Sequence, residues 1–118
     1  MKDDRVFLEH IRSAIGAIEQ YASAGRDAFD AERMRQDAIV RQFEIVGEAV
    51  KQLSDTTKLR RQDIPWRQIA GMRDRLMHGY FGVDLNLVWA TIERDLPILK
   101  AAVISLLSDP DSSPPKRA

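Results

Sequence analysis

At 118 residues, 44% apolar and 31% charged, the chain has the size and composition of one globular domain with a real core. Its formal net charge is zero, which excludes a global field that draws polyanions, and it has no cysteine, which excludes disulfides and thiolate metal sites. No apolar run approaches the length of a membrane span, and Met1-Lys-Asp-Asp-Arg5 leads into an amphipathic stretch rather than a signal-peptide core, so a soluble, cytoplasmic protein is expected.

Leu8, Ile11, Ile15, Ile18 and Ala22 alternate steps of three and four, which predicts a first amphipathic helix ended by Gly25. Ile39, Phe43, Val46, Val50 and Leu53 repeat the rhythm in a second helix, for which Asp30 is the expected N-cap. The polar segment Ser54 to Asp63 reads as a break. Pro65 suits the first turn of a third helix carrying Trp66, Ile69, Met72 and Leu76 on one side and ending near Gly79 or Gly82. Leu85, Trp89, Ile92, Leu96, Leu99, Val103 and Leu106 form a last stripe, capped by Asp84, that stays in phase across Pro97 and so predicts one helix kinked there. The expected fold is all-α, an antiparallel bundle of four main helices over residues 1–108, with 109–118 a disordered tail rich in proline and polar residues. The narrow seams suit either one bundle core or a dimer interface. Phe7, Ala14 and Tyr21 form a second apolar line on the first helix that favours a homodimer.

The stretch that points to chemistry is Arg73-Asp-Arg-Leu-Met-His78-Gly-Tyr80, in a chain with only two histidines. Histidine moves a proton near neutral pH, and guanidinium holds phosphate charge through a fork of donors; metal-free RNA cleavage needs both. From Thr57 to Tyr80, the cations Lys58, Arg60, Arg61, Arg67, Arg73 and Arg75 face only Asp63 and Asp74, a local positive excess in a neutral protein. On a regular helix Arg73 and His78 lie about 140° apart. Either the helix loosens near Gly79, or two copies of the motif meet across a dimer cleft. Asp74 precedes His78 by four residues, so on a helix it either orients the imidazole or forms a solvated pair of little consequence. Glu44 and Glu48, one turn apart on the second helix, are the expected partners of Arg73, with Gly47 between them permitting close helix approach; the alternative is an arginine that snorkels to water. His10 reads as an exposed first-helix residue, and neither histidine has metal-ligand spacing around it. Trp66 and Trp89 fall on core positions, and Tyr80 by itself reads as packing.

Arg73-x-x-x-x-His78-x-Tyr80 resembles the signature of the HEPN superfamily, in particular the HepT-like toxins of prokaryotic toxin–antitoxin pairs. The likeness extends to Arg41-Gln-Phe-Glu-Ile-Val-Gly-Glu-Ala-Val50, to Pro65-Trp66 leading into Ile69-Ala-Gly-Met-Arg73, and to Val88-Trp89 followed by Asp95-Leu-Pro97, covering roughly residues 3 to 107. The resemblance implies a dimerising helical domain with metal-independent endoribonuclease activity and no cofactor. It implies Arg73 and His78 as the catalytic pair and Asp74 as the polar residue that follows the arginine; beside it, Glu44 is expected to support Arg73, and Arg67 and Arg75 of the local basic patch are expected to meet RNA. It also implies a nucleotidyltransferase antitoxin that neutralises the toxin by adding AMP to Tyr80. The competing expectations are a non-catalytic module binding a nucleotide or a partner, and a purely structural dimerisation domain.

Overall fold

The computed structural model describes residues 3–77 and 82–108. Helix α1 spans Asp4–Ala22, opened by the Asp3 carboxylate, which accepts from the Arg5 amide. Its stripe of Leu8, Ile11, Ile15 and Ile18 is buried as expected, each such side chain contributing about 1.5–3 kcal/mol by leaving water. Ala14 joins the same core, and Phe7 and Tyr21 are half-buried against it. Ser23 closes the helix, and Gly25, at φ +96°, supplies the left-handed turn that lets the chain reverse.

A short helix missed by periodicity, α2 (Arg26–Ala31), follows before α3 (Arg33–Gln52). Asp30 is therefore not the cap of the long helix. It lies inside α2, paired with Arg26 one turn back, and the extended residue Glu32 stands at the N-cap instead. Gln36 explains the junction, since its amide donates to the carbonyls of Phe29 and Asp30 that α2 leaves open at its end. Phe29 itself is fully buried, its ring 5.3 Å from that of Trp89.

Two contacts fix the relative direction of α1 and α3. Arg35 near the start of α3 donates to the Tyr21 carbonyl at the end of α1, while Ser54, just past α3, donates to Asp4 at the start of α1. The helices are antiparallel. The expected break after α3 contains one helical turn, α4 (Asp55–Leu59), with Ser54 as its N-cap. Oδ2 of Asp4 accepts from the Ser54 amide, the Ser54 hydroxyl and the buried Thr57 hydroxyl, tying α1 to α4. Partial burial pushes the Asp4 pKa up, but the Ser54 and Thr57 hydrogen bonds and the Lys58 charge outweigh it, leaving the group below its ordinary 3.8. A depressed carboxylate stabilises the fold above its unfolded pKa and loses that contribution as pH falls through the folded one. Asp4→Ala is accordingly expected to cost about 1–3 kcal/mol at pH 7. Urea titrations of both proteins from pH 7 to pH 3 should show the gap narrowing only below about pH 4.

Pro65 opens α5 (Trp66–Ala70), and the Trp66 indole donates to the carbonyls of Lys58 and Arg61, anchoring it to the segment before it. The single third helix expected from the sequence is broken at Gly71, and α6 (Met72–Leu76) ends well before Gly79. Met77 is extended and pairs in an isolated antiparallel bridge with Val83. Asp84 then caps α7 (Leu85–Ala90), accepting from the Leu87 amide as its position in the sequence suggests. A π-helical turn, Thr91–Asp95, leads without interruption into α8 (Leu96–Ser108). The one long helix is thus present, but Pro97 is accommodated one turn earlier than expected. Proline lacks a donor and its ring crowds the carbonyl four residues back; widening the turn so that Leu96 bonds Thr91 makes room. Buried Thr91 donates its hydroxyl to the Leu87 carbonyl within this turn.

Arg5 donates to the Leu107 carbonyl, and Lys100 pairs with Glu19 at the other end, so α8 is also antiparallel to α1. The core lies between α1, α3 and α8, closed by Trp66, Ile69, Met72 and Leu76 from α5 and α6. No strand occurs among the described residues, and none of their helices is long and apolar enough to cross a membrane. The expected tail 109–118 lies outside the described residues.

Candidate functional site

Gly47 sets the site. A Cβ built there would stand 3.1 Å from the Ala70 carbonyl oxygen and 3.3 Å from that of Ile69, so α3 and α5 meet backbone to backbone. This close approach carries the start of α6 over α3 and brings Arg73 to Glu44. The Arg73 Nε donates to Glu44 Oε2, the partnership the sequence suggests. The guanidinium is 58% exposed and the carboxylate 25%, so Glu44 holds the base of the fork while the outer donors face solvent. Glu44 Oε1 is also within 3.4 Å of Arg41 Nη1, one turn earlier on α3.

The resulting groove, about 540 Å³, is lined by Glu44, Gly47, Glu48, Lys51, Arg67, Ala70, Gly71, Arg73 and Asp74. Arg67 therefore shares it with Arg73. Arg75 does not; it lines a different cleft with Pro65, Met72, Asp95 and Ile98. The local positive excess of the sequence is thus divided in space. Arg61 is held by Asp63 through two hydrogen bonds, which raise the pKa of the arginine and lower that of the acid. In the groove, the cations Lys51, Arg67 and Arg73 meet Glu44, Glu48 and Asp74. Glu48 is held by Lys51 at 3.1 Å. An anion entering here meets one guanidinium, that of Arg73, already held by a carboxylate, not a bare positive field.

Asp74 is almost fully exposed, with Arg73 Nη1 4.0 Å away. Helix α6 stops at Leu76 and Met77 is extended, so the regular helical geometry assumed for the motif does not run past Leu76. His78 and Tyr80 themselves lie outside the described residues, between the paired Met77 and Val83. His10 is exposed, as expected, its ring edge-on to Phe7 at 6.2 Å. Arg41 and Lys51 were not singled out by the motif. Their signal was present, since each stands three residues from a groove carboxylate on α3, Arg41 before Glu44 and Lys51 before none but after Glu48.

A family model described as ribonuclease HepT-like matches residues 11–106. Among curated proteins, the chain is 38% identical over 113 residues to one from Methanocaldococcus jannaschii named "Gamma-glutamylcyclotransferase and putative RNase", covering 95% of this chain but only 51% of that protein. It is 41% identical over 95 residues to "Probable ribonuclease HepT" of Thermococcus cleftensis, covering 80% of this chain and 86% of the relative. It is 39% identical over 108 residues to a "Putative RNase" of Caldanaerobacter subterraneus subsp. tengcongensis, covering 91% and 96%. No solved structure matches the chain.

Proposed function

The chain belongs to the ribonuclease HepT-like family, and from that premise we propose that it is the toxin of a prokaryotic toxin–antitoxin pair, a cytoplasmic, metal-independent endoribonuclease. The observation that carries the reading is Arg73, held by Glu44 at the lip of a groove and five residues ahead of His78 in the family's motif. In this mechanism His78 takes the proton of an RNA 2′-hydroxyl. The 2′-oxygen attacks the adjacent phosphorus as the bond to the 5′-oxygen breaks, leaving a cyclic phosphate and a 5′-hydroxyl. The outer donors of Arg73 stabilise the charge that gathers on the phosphoryl oxygens. Glu44 positions that arginine, Asp74 adds a carboxylate beside it, and Arg67 holds flanking phosphate in the same groove. A second motif copy in a homodimer supplies the proton for the leaving 5′-oxygen.

We further propose that a nucleotidyltransferase antitoxin silences the toxin by adding AMP to Tyr80, two residues from His78. The adduct would place negative charge and bulk where substrate phosphate binds. Because the nucleophile is the 2′-hydroxyl, the purified protein in excess EDTA should cut RNA and leave the all-deoxy oligonucleotide of the same sequence whole. Cleavage of the DNA would sink the mechanism. Silence on both, from a folded protein free of modification at Tyr80, would favour the alternative of a non-catalytic nucleotide- or partner-binding module.

A further inference from the structure

Arg41 belongs to no part of the motif, yet it shares Glu44 with the motif arginine. Each carboxylate oxygen takes one guanidinium, Oε1 that of Arg41 and Oε2 that of Arg73. Two like charges are thereby gathered on one partly sheltered acid, with one positive charge in excess. The Arg41 side chain is 69% exposed and has no other partner among the described residues. Its remaining donors are available to an anion, as are the outer donors of Arg73.

What lies beside Arg41 gives this pair a direction. A second depression, about 260 Å³, is lined by Phe7, His10, Arg41, Glu44, Ile45 and Gln52 among others, and shares Glu44 and Glu48 as a wall with the Arg73 groove. The two lie on either side of that wall on α3. On one side stand Arg67 and Arg73; on the other stand Arg41 and the paired rings of Phe7 and His10. Both wall carboxylates are already engaged, Glu44 by the two arginines and Glu48 by Lys51. Guanidiniums with rings beside them suit single-stranded nucleic acid, which sets phosphates on cations and bases against aromatic surfaces. A duplex has its bases stacked inside and gains nothing from the rings.

We propose that Arg41 and the Phe7–His10 rings form a binding subsite for single-stranded RNA, in which Arg41 takes a phosphate next to the one at Arg73 and a neighbouring base rests at the rings. The subsite rests on the reading that RNA occupies the Arg73 groove, and its test is kept separate from cleavage. Binding of a fluorescent single-stranded RNA to the His78→Ala protein is followed by anisotropy across a salt series. Arg41→Gln should reduce the slope of log affinity against log salt by about 0.7, the share of one phosphate contact on a single strand. Arg33→Gln, a still more exposed arginine paired with Asp37 on the same helix, should leave the slope unchanged. His10→Ala should weaken binding about fivefold or more while keeping the salt slope, since what it removes is a ring against which a base rests. In the wild-type background, Arg41→Gln should raise KM with kcat nearly unchanged.

If Arg41→Gln binds as Arg33→Gln does, the subsite is overturned, and wild-type cleavage would still leave the ribonuclease standing. An Arg41-dependent slope in a protein that never cuts RNA would keep the subsite and remove the ribonuclease. Equal affinity for duplex and single-stranded RNA would also overturn the subsite, because the rings would then play no part.

Discussion

Arg73→Ala is expected to lower RNA cleavage by about 10²–10³-fold, the usual cost of removing a preorganised donor to developing phosphoryl charge. The fold should hardly notice. Arg73 is 58% exposed, and an exposed ion pair such as that with Glu44 contributes at most about 1 kcal/mol, so thermal unfolding should move by only a few degrees. Arg73→Lys should recover little, because a lysine keeps the charge but not the planar fork whose Nε is fixed by Glu44 while other donors face the groove. His78→Ala should cost a comparable 10²–10⁴-fold through loss of proton transfer. The two together separate enzyme from binding module. A module that only binds depends on the arginine and is indifferent to the histidine, whereas a ribonuclease loses turnover with either. Single-turnover cleavage of a defined RNA, alongside circular dichroism of each variant, makes the comparison.

The second large effect is expected at Gly47. An alanine Cβ there would lie 3.1 Å from one backbone oxygen and 3.3 Å from another, and backbone cannot swing aside as a side-chain tip can. Gly47→Ala should therefore cost about 1–3 kcal/mol, read as a fall in Tm of roughly 4–12 °C. It should also lift α5 and α6 from α3 and loosen Arg73 on Glu44, so that activity at permissive temperature falls as well. Gly16→Ala is the control. Gly16 sits on exposed α1 with nothing within 4 Å of an added Cβ, and there the same change should stabilise by about 0.5–1 kcal/mol. A Gly47→Ala protein as stable as wild type would show that the two backbones can separate freely.

Much of this site was legible in the sequence because its parts repeat at helical spacing. The stripes of α1, α3 and α8 are buried where their three-four rhythm places them. Glu44 and Gly47 could be read as the partner and the approach point for Arg73 because charge and the lack of a side chain are themselves sequence properties, whereas Glu48, the other expected partner, pairs with Lys51. What escaped depends on local backbone choices that periodicity does not encode. Ile69, Met72 and Leu76 keep one face in phase, yet Gly71 breaks the helix between them without disturbing the stripe. The turn at Thr91–Asp95 widens for a proline that comes after it, so its cause and its position differ. Helices α2 and α4 are too short to show a period; only Ser54 and its bond to Thr57 mark the start of the second. The division of Arg67 from Arg75 needed the third dimension, since eight residues across a broken helix fix no common face.

Because α1 is the antiparallel partner of both α3 and α8, the order in which the chain is synthesised is also an order of assembly. The contacts that join α1 to α3 span 14 and 50 residues, whereas Arg5 meets Leu107 across 102. Doubling a loop adds only about 0.6 kcal/mol to its closure, so what delays the last contact is availability rather than entropy. The α1–α3 pair can form once the residues up to Ser54 have left the ribosome, and α5 and α6 settle on it next. Helix α8, which completes the core, arrives last. The surface bearing Arg41 and Arg73 is thus expected to take shape before the domain is stable enough to keep it, and the docking of α8 is what turns a transient surface into a lasting one.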